Sequence, residues 1–503
     1  MRKTHISRII FITIIVIFFT SGCTNKNQNQ WLQFRGYGAL GIAPKNATPP
    51  IDFSPNENIL WKIETPEGLS SPIIIANNLM LTGVNRDKRE YIIWNINLDS
   101  GEIKWKKKVS VKKIEQVHSS SSPASATPAS DGESIYCYFP SFGLICYDLE
   151  GNKVWERPIK YQNIISGSGT SPVIFNNYLI LNKDNLIEPR LIVFNKNDGQ
   201  LLWEYHFSKS KVVSSASWST PVIWNNQIII HRDKGLEGID IESKKQIWHY
   251  RIGTMGEATP VIIMDTLFVN AWNVRGEKAL QNDIDNFENL FFEIDSDNNG
   301  ELTGKEFKKL YPKGIPINER TEAKKDLDET TFPLFWRRVR DFDENDDKRI
   351  TKNEWQGLVK RMEDFSNHGL IAIQLGDTGN VNLSSQLWKV SEDISETPSV
   401  LVHNGLVYMV KNGGTTTCVN AHSGEIIYKE KLGATGVYFS SPMFANGYIY
   451  YSSYNGKITI VKAGQDFEII NQIDLNEKIG ASPVAVGDKL IVRTATHLYA
   501  FKE

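Results

Sequence analysis

The sequence predicts an all-β fold: an eight-bladed β-propeller of four-stranded blades, interrupted by one long insertion. Three observations predict it. A Ser/Thr-Pro pair followed by a short apolar strand recurs eight times, a turn of Asn, Asp or Gly follows most of these strands, and an aromatic residue marks the fourth strand of most units. Repeats of about forty residues with four short strands are typical of propeller blades, which bury their faces only against one another.

The eight pairs recur at regular intervals along the chain. They are Ser71-Pro72, Thr127-Pro128, Ser171-Pro172, Thr220-Pro221, Thr259-Pro260, Thr397-Pro398, Ser441-Pro442 and Ser482-Pro483. Consecutive prolines lie 39 to 56 residues apart, except that 138 residues separate Pro260 from Pro398. The long interval equals one repeat plus an insertion. We therefore expect residues 266–270 and 370–374 to be neighbouring strands of the fifth blade, with the insertion replacing the turn between them.

The ends of the repeat array predict a closed ring. The last unit, from Ser482 to Glu503, is too short for four strands, and residues 58–62 near the N-terminus have the pattern of the missing outer strand. Pairing these two segments would hide edge strands that an open array leaves exposed. Outer-strand aromatics recur once per blade, which favours packing between blades over a ligand-stacking site; they are Trp105, Trp155, Trp203, Trp248, Trp388 and Tyr428.

Within the insertion, residues 295–306 read D-S-D-N-N-G-E-L-T-G-K-E. Oxygen donors fall at the ligand positions of an EF-hand calcium loop, with glycine at the sixth position, where the loop turns sharply. The predicted ligands are Asp295, Asp297, Asn299, Glu301 (through its backbone carbonyl) and Glu306, which can supply two oxygens. The hard cation that this set favours is Ca²⁺.

A second loop follows at residues 343–354. Its predicted ligands are Asp343, Asn345, Asp347, Arg349 (through its backbone carbonyl) and Glu354. Lys348 stands where glycine is expected; lysine adopts a positive φ at a cost of roughly 1 kcal/mol and brings a positive charge near the ion. Whether this loop binds calcium stays open, so we expect one or two ions. The alternative for both loops is an acidic, solvated hairpin.

Helical periodicity flanks the first loop. Leu280, Ile284, Phe287, Phe291 and Ile294 recur at helical spacing before it. Leu302 and Ile350 occupy the eighth position of their loops, where paired EF-hands form a two-stranded contact. The predicted fold class therefore includes an inserted α-helical EF-hand pair.

The N-terminus predicts export. Arg2, Lys3 and Arg8 precede an apolar core over residues 9–19, which is too short to span a bilayer. The sequence Thr20-Ser21-Gly22-Cys23 then resembles a bacterial lipobox, although Thr20 departs from the usual leucine-like residue. We expect residues 1–22 to be a lipoprotein signal peptide and Cys23 to be acylated. An ordinary cleaved signal or an uncleaved anchor is the alternative.

Charge and cysteine content narrow the function classes. A formal net charge of −2 gives no support for nucleic-acid binding. Apart from Cys23, the cysteines are Cys137, Cys146 and Cys418, which is too few for a disulfide scaffold. Cys137 and Cys146 are symmetric about residues 140–143 and are expected to face each other across a hairpin. Both a disulfide and two packed thiols remain open.

The repeat resembles the pyrroloquinoline-quinone-like, or quinoprotein-type, propeller family from Trp31 to Glu503 outside the insertion. The resemblance is carried by Trp31-x-Gln33-Phe34-Arg35-Gly36 and by blade ends such as Asp148, Gly151 and Trp155. Within that superfamily the chain is similar to the outer-membrane assembly factor BamB family. The resemblance implies the fold; enzymes and scaffolds both share it.

The function expected from this resemblance is non-catalytic. In quinone-dependent dehydrogenases of the family, calcium sits on the quinone and a disulfide joins adjacent cysteines; this sequence has no adjacent cysteines, and its evident calcium site is in the insertion. We expect no enzyme activity and assign no catalytic or quinone-binding residue. The expected protein is a calcium-binding, lipid-anchored scaffold of the bacterial cell envelope that binds envelope proteins or glycans. A quinone-dependent oxidoreductase and a glycan- or small-ligand-binding propeller are the alternatives.

The expected domain boundaries follow from these motifs. Residues 1–22 form the signal peptide, 23–55 a lipid-anchored tether and linker, and 56–275 the first part of the propeller. Residues 276–366 form the EF-hand pair and 367–503 the second part of the propeller.

Overall fold

The computed structural model of the chain describes residues 30–161, 167–185, 187–208, 217–233, 235–272, 287–306, 343, 345, 347–357, 359, 368–376 and 381–503. Cys23 and the predicted signal peptide lie outside these residues. So do parts of the helices predicted around the two calcium loops.

The described residues form eight antiparallel meanders, and together these make an eight-bladed β-propeller, which confirms the predicted architecture. From the inside outward, the strands of blades 1 to 4 are Ile73–Ile75, Asn78–Asn85, Glu90–Asn97 and Ile103–Ser110; Ala129–Ser130, Ser134–Phe139, Gly143–Asp148 and Lys153–Pro158; Val173–Phe175, Tyr178–Lys183, Arg190–Asn195 and Leu201–His206; Val222–Trp224, Gln227–Arg232, Gly235–Asp240 and Lys245–Arg251.

Blades 5 to 8 repeat the same order. Their strands are Val261–Ile263, Thr266–Ala271, Gly369–Gln374 and Gln386–Val390; Leu401–His403, Leu406–Lys411, Thr415–Asn420 and Ile426–Lys431; Met443–Ala445, Tyr448–Ser452, Lys457–Lys462 and Ile469–Asp474; Val484–Val486, Lys489–Arg493, His497–Phe501 and Ile59–Glu64. A short strand Gln30–Trp31 adds to the inner edge of blade 1. Among the described residues, further elements are the 3-10 turns Tyr37–Ala39 and Leu383–Ser385, helix Phe287–Ile294, and strands Glu301–Thr303 and Arg349–Thr351. Residues 304–306 and 352–357 are also helical.

The ring closes as predicted. The outer strand of blade 8, Ile59–Glu64, comes from the N-terminal part of the chain and pairs with His497–Phe501.

The insertion is also placed as predicted, because Thr266–Ala271 and Gly369–Gln374 are paired neighbours in blade 5, with Ala271 opposite Gly369. In a meander, the end of the second strand lies at the same end of the blade as the start of the first. The insertion therefore leaves the wheel at the end where the Ser/Thr-Pro starts lie.

A closed ring of hydrogen bonds joins the eight blade starts. In each blade, the N–H of the starting residue donates to the side-chain oxygen of the starting residue of the next blade, at 2.9 to 3.1 Å. The ring residues are Ser71, Thr127, Ser171, Thr220, Thr259, Ser399, Ser441 and Ser482, and all of them are buried. A hydroxyl is required at these positions because a buried N–H without an acceptor is costly.

The sixth blade start differs from the prediction. The sequence pattern places it at Thr397-Pro398, but the residue that occupies the ring is Ser399, two positions later. Val400 takes the place that proline has in the other blades. The prediction is wrong here because the Ser/Thr-Pro pair of this blade precedes the ring position by two residues, and Ser399 makes the ring hydrogen bonds.

Tryptophans of the outer strands attach blades to their neighbours, as predicted. The indole Nε1 atoms of four of them donate to backbone carbonyls of the next blade at 2.9 to 3.0 Å; the pairs are Trp61–Leu98, Trp105–Leu149, Trp155–Lys196 and Trp388–Ala421. Each ring also covers a glycine of that blade in the left-handed region, such as Gly424 beneath Trp388. Trp248 is an exception, since its Nε1 donates to Gln227 of its own blade.

Cys137 and Cys146 do not face each other, which corrects the prediction. The hairpin pairs Phe139 with Gly143 and has a three-residue turn, so Cys137 lies opposite Ile145 and Cys146 lies opposite Tyr136. A one-residue offset sends the two side chains to opposite faces of the sheet. Cys137 packs between blades 1 and 2, and Cys146 packs between blades 2 and 3. Both thiols are free and buried.

Residues 30–53, in the stretch expected to act as tether and linker, pack into the wheel. Trp31 is buried and pairs with Ile74 of blade 1. Further along, Arg35 Nη2 donates to the carbonyl of Val400 in blade 6 at 2.7 Å. The N–H of Thr48 donates to the carbonyl of Gly487 in blade 8. Ala39 of the same segment packs with core residues of blades 4 and 5, which lie opposite blade 1, so the segment crosses the centre of the ring.

Candidate metal centre

The first predicted calcium loop brings three carboxylates together. Oxygen atoms of Asp295, Asp297 and Glu306 all lie within 4.8 Å of one another. Helix Phe287–Ile294 ends directly before Asp295, and helical residues 304–306 bring Glu306 back to the start of the loop. Asp295 is buried, Glu306 is half-buried and Asp297 is exposed, so the cluster is open to solvent on the Asp297 side.

Backbone hydrogen bonds hold these carboxylates in place. The two Asp295 oxygens accept from the N–H groups of Asn299 and Gly300 at 3.0 and 2.9 Å. Glu306 Oε2 accepts from the N–H and the hydroxyl of Thr303 at 3.0 and 2.8 Å. Gly300 has a φ of +79°, a conformation that glycine adopts without strain. Backbone N–H groups of the loop therefore point towards the carboxylate oxygens of Asp295 and Glu306.

The second loop repeats this arrangement. The two Asp343 oxygens accept from the N–H groups of Asp347 and Lys348 at 3.0 and 2.7 Å. Glu354 Oε2 accepts from the N–H and the hydroxyl of Thr351 at 2.8 and 2.7 Å. Lys348 takes the left-handed conformation that Gly300 has in the first loop, with a φ of +68°. Within the described residues, however, only the first loop brings oxygen atoms of three carboxylates within 4.8 Å of one another.

The two loops are joined at their eighth positions. Strands Glu301–Thr303 and Arg349–Thr351 pair antiparallel, with Leu302 directly opposite Ile350, which is the contact that the sequence predicts. Arg349 Nη1 also reaches the Glu301 carboxylate at 2.5 Å. Beneath the strands lies a small core of fully or nearly fully buried side chains, namely Leu290, Phe291, Ile294, Leu302, Ile350 and Trp355. The two loops therefore form one packed unit.

The donor set of the first loop fits a hard divalent cation. Every donor is an oxygen: carboxylates from Asp295, Asp297 and Glu306, the amide of Asn299 and the main-chain carbonyl of Glu301. Ca²⁺ takes six to eight oxygens, and a bidentate Glu306 brings this set to six. The loop contains no sulfur or imidazole ligand that would favour zinc or copper. The second loop offers the same types of oxygen donor, but it has Lys348 at the sixth position, where the first loop has Gly300.

The wheel itself buries titratable groups that the sequence pattern did not indicate. His231 is fully buried, and its ring nitrogens lie 2.7 Å from the Ala258 carbonyl and 2.6 Å from Thr254 Oγ1. Burial lowers the pKa of His231 to about 4, since the charged form loses its hydration. The neighbouring Arg232 bonds to Asp184 Oδ2 and Glu237 Oε1 at 2.7 and 2.6 Å. These groups therefore find their hydrogen-bond and ion-pair partners inside the wheel.

Comparisons with known proteins place the fold. A family model described as outer membrane protein assembly factor BamB matches residues 55–168. The structure is similar to BamB from Moraxella catarrhalis, with a TM-score of 0.52 and 12% identity over 88% of this chain and 97% of that one. It is also similar to a europium-containing methanol dehydrogenase, with a TM-score of 0.54 and 10% identity over 95% and 99% of the two chains.

A third similar structure is the quinohemoprotein alcohol dehydrogenase from Comamonas testosteroni, with a TM-score of 0.55 and 9% identity over 95% of this chain and 81% of that one. At such identities the likeness shows the propeller fold alone. No curated protein sequence matches the chain. In the part of the chain that the structure describes, no helix is long and apolar enough to cross a membrane.

Proposed function

We propose that this chain is a calcium-binding, lipid-anchored propeller of the bacterial cell envelope that acts as a non-catalytic platform for other envelope components. The observation that carries the proposal is the geometry of the paired loops. In both loops the N–H of the sixth residue donates to the carboxylate of the first aspartate. The two loops also pair through Leu302 and Ile350. An acidic hairpin with no ion would not require this correspondence between two loops.

The proposed role of calcium is structural. A calcium sensor opens a methionine-rich groove on binding, whereas the insertion contains a single methionine, Met362. Extracellular calcium modules bind at roughly 10⁻⁴ to 10⁻³ M, so an exported module stays loaded in a calcium-rich medium. In the proposed state the ion joins the start and end of each loop and rigidifies the insertion.

Envelope location and a platform role have separate support. The lipobox-like sequence ending at Cys23 supports anchoring, and several acyl chains give stable attachment where one does not. The matching family model describes an outer membrane assembly factor, and the BamB structure is similar in fold to this chain. We infer that this wheel also binds envelope proteins, through the loops at its two ends.

Calcium titration of the purified mature chain tests the metal site. Glu306→Gln removes the bidentate ligand and should abolish binding at the first loop, with a lower melting temperature for the insertion and an unchanged propeller. Glu293→Gln is the matched control, because Glu293 is exposed on the helix just before the loop and makes the same change of charge. Equal calcium binding by both variants would refute the site.

A quinone titration separates the platform from an oxidoreductase. The calcium-loaded chain is mixed with pyrroloquinoline quinone and then assayed for dye reduction with alcohols and sugars. We expect no turnover, because the sequence lacks the adjacent cysteines of that enzyme class. Tight quinone binding with substrate-dependent dye reduction would overturn the non-catalytic proposal.

A further inference from the structure

Two large apolar side chains are almost fully exposed, and both lie at the end of the wheel opposite the blade starts. Met264 is 87% exposed and Tyr37 is 86% exposed, whereas Phe292, which comes next among the described residues, is 58% exposed. Met264 opens the turn between the inner and second strands of blade 5. Such turns lie opposite the blade starts, because each inner strand runs away from its own start.

Tyr37 is placed at the same end by the contacts on either side of it. Before it, the carbonyl of Leu32 accepts from the N–H of Ser130, the last residue of the inner strand of blade 2. After it, the N–H of Thr48 donates to Gly487, in the turn that follows the inner strand of blade 8. The segment between these contacts therefore runs along the end of the wheel opposite the blade starts.

Tyr37, Met264 and Trp224 form one cluster. The turn Tyr37–Ala39 lies against the inner strands Val222–Trp224 and Val261–Ile263, and Met264 directly follows the second of these strands. Trp224 is half-buried, and its indole Nε1 donates to the carbonyl of Met264 at 2.8 Å. We call these three residues the central patch, because they lie at the ends of inner strands, next to the axis of the wheel.

Packing within the chain does not account for Met264. Its φ is +55°, and at the same turn position four other blades have asparagine with φ between +44° and +52°; these residues are Asn176, Asn225, Asn404 and Asn446. Asparagine tolerates this conformation because its short polar side chain can bond locally, which methionine cannot do. Met264 thus carries a conformational cost and buries almost none of its side chain. An exposed apolar cluster of this kind marks a contact with a partner or a membrane.

The surroundings of the central patch carry few charges. Five of the inner turns contain only Ala, Asn and Gly; they are residues 76–77, 176–177, 225–226, 404–405 and 446–447. Glu133 and Asp265 are exposed in two of the other three. The outer turns at this end are more acidic, with exposed Asp99, Glu150, Asp198, Glu242 and Glu425. A contact at the centre is therefore made by apolar and aromatic side chains, the types that favour a membrane–water interface.

The chain also enters the wheel at this end. Gln30 pairs with Ile75, the last residue of the inner strand of blade 1. Cys23 precedes Gln30 by seven positions, and seven residues span at most about 25 Å when fully extended. Acyl chains on Cys23 would hold this end of the wheel, rather than the end with the blade starts, next to the bilayer.

We propose that the central patch docks onto the lipid bilayer that holds Cys23, with Tyr37, Trp224 and Met264 in the headgroup region. The inference rests on the proposed lipid anchor, and it adds the orientation of the wheel. Membrane affinity grows with the apolar area buried, so the patch strengthens the attachment made by the acyl chains. The end with the blade starts, from which the insertion leaves, then faces away from the membrane. That end and the outer turns stay available to proteins.

A site-specific fluorophore tests the orientation. Met264→Cys and Lys88→Cys are made in separate copies of the acylated chain and labelled with the same environment-sensitive dye. Lys88 is the matched control, because it is exposed in a turn at the end with the blade starts. The thiols of Cys137, Cys146 and Cys418 are buried, so they should not react. In phosphatidylcholine vesicles, the dye at 264 should shift to the blue and be quenched by nitroxide-labelled phosphatidylcholine. The dye at 88 should show neither change.

A second substitution tests the patch itself. Tyr37→Ser in the chain labelled at 264 should reduce the quenching by the nitroxide lipid, because it removes a neighbouring apolar contact with the bilayer. Ile187→Ser is the control, since Ile187 is 54% exposed in a turn at the opposite end of the wheel. It should leave the quenching unchanged. Both side chains are exposed, so neither change should prevent folding.

Failure of the anchor is measured separately, by mass spectrometry of Cys23. If Cys23 is not acylated, the chain from residue 24 with an N-terminal histidine tag is held on vesicles that contain a nickel-chelating lipid, and the same labels are compared. Equal quenching at 264 and 88, quenching at 88 alone, or no quenching at either position would overturn the docking proposal. So would a blue shift at 264 that depends on protein density and not on the nitroxide lipid, which would mean that a second copy covers the patch.

Discussion

The backbone N–H of Ser482 donates a hydrogen bond to Oγ of Ser71 at 3.1 Å, although 411 positions separate the two residues in the chain. This contact closes the ring of eight hydroxyls at the blade starts. It joins the last blade to the first at the centre of the wheel, while the pairing of Ile59–Glu64 with His497–Phe501 joins them at the rim. Two independent connections therefore close the propeller, one inner and one outer.

The inner connection predicts the effect of Ser71→Ala. The change leaves the buried N–H of Ser482 without its acceptor, which costs about 1 to 3 kcal/mol in the free energy of unfolding. Urea denaturation measures it. Ser243→Ala is the control, since Ser243 is exposed and its N–H rather than its hydroxyl makes the local hydrogen bond. Equal stability of the two variants would show that the ring hydroxyl is dispensable.

The packing of Trp388 of blade 5 against blade 6 predicts that two glycines of blade 6 differ in how much a change to alanine destabilises the protein. Gly424 and Gly405 have φ values of +78° and +75°, so alanine at either position carries a conformational cost of about 1 kcal/mol. At Gly424 the new Cβ would also lie 2.7 Å from Cγ of Trp388, whereas at Gly405 no atom lies within 4 Å. Gly424→Ala should therefore lower the melting temperature more than Gly405→Ala, and similar losses would contradict the docking role of Trp388.

His231 predicts a loss of stability in acid. Its pKa is about 4 in the folded protein and about 6.5 when unfolded, so the unfolded state binds the additional proton between these values. The free energy of unfolding should fall as the pH decreases from about 6.5 to about 4, by about 3 kcal/mol in total. His231→Gln should flatten the curve in that window. An unchanged pH dependence in this variant would show that other groups cause the loss.

At the second proposed calcium loop, we expect Lys348→Gly to raise the affinity for calcium. Glycine removes the positive charge near the ion. It also removes the strain of the positive φ that the ion-bound loop requires, and about 1 kcal/mol of strain that the ion-free loop can relax corresponds to about fivefold in affinity. Lys348→Gln is the matched control, because it removes the charge and keeps the strain. Titrations in a Glu306→Gln background report the second loop alone. If both changes have the same effect, the backbone conformation at position 348 is not limiting.

The sequence predicted the parts of the fold that depend on repetition. Blade number, ring closure by residues 58–62 and the position of the insertion all follow from spacing, because each blade needs the same strands to bury its faces. The sequence did not reveal that Ser399 replaces Thr397 at the ring, since only the hydrogen bonds distinguish two hydroxyls so close in the chain. The pattern predicts that Cys137 and Cys146 face each other, because it does not show the length of the turn, which sets the register.

Features formed by one contiguous segment could be predicted from the sequence, whereas features formed by distant segments could not. The two proposed calcium loops are contiguous in the chain, so their candidate ligands can be predicted from spacing alone. The contacts of buried Glu115 join different segments of the chain, because its Oε2 accepts from Tyr91 of blade 1 and Ser141 of blade 2. No local sequence pattern predicts such contacts.

Cross-linking in intact cells tests the platform role most directly, by comparing the full chain with a variant that lacks residues 278–367 and has a short turn in their place. The variant should fold, because Ala271 and Gly369 already lie opposite each other in paired strands and can be joined as an ordinary hairpin. We predict that the full chain forms specific adducts with envelope proteins and that the folded variant loses at least one of them. An unchanged set of adducts, or no adduct with either chain, would contradict the account.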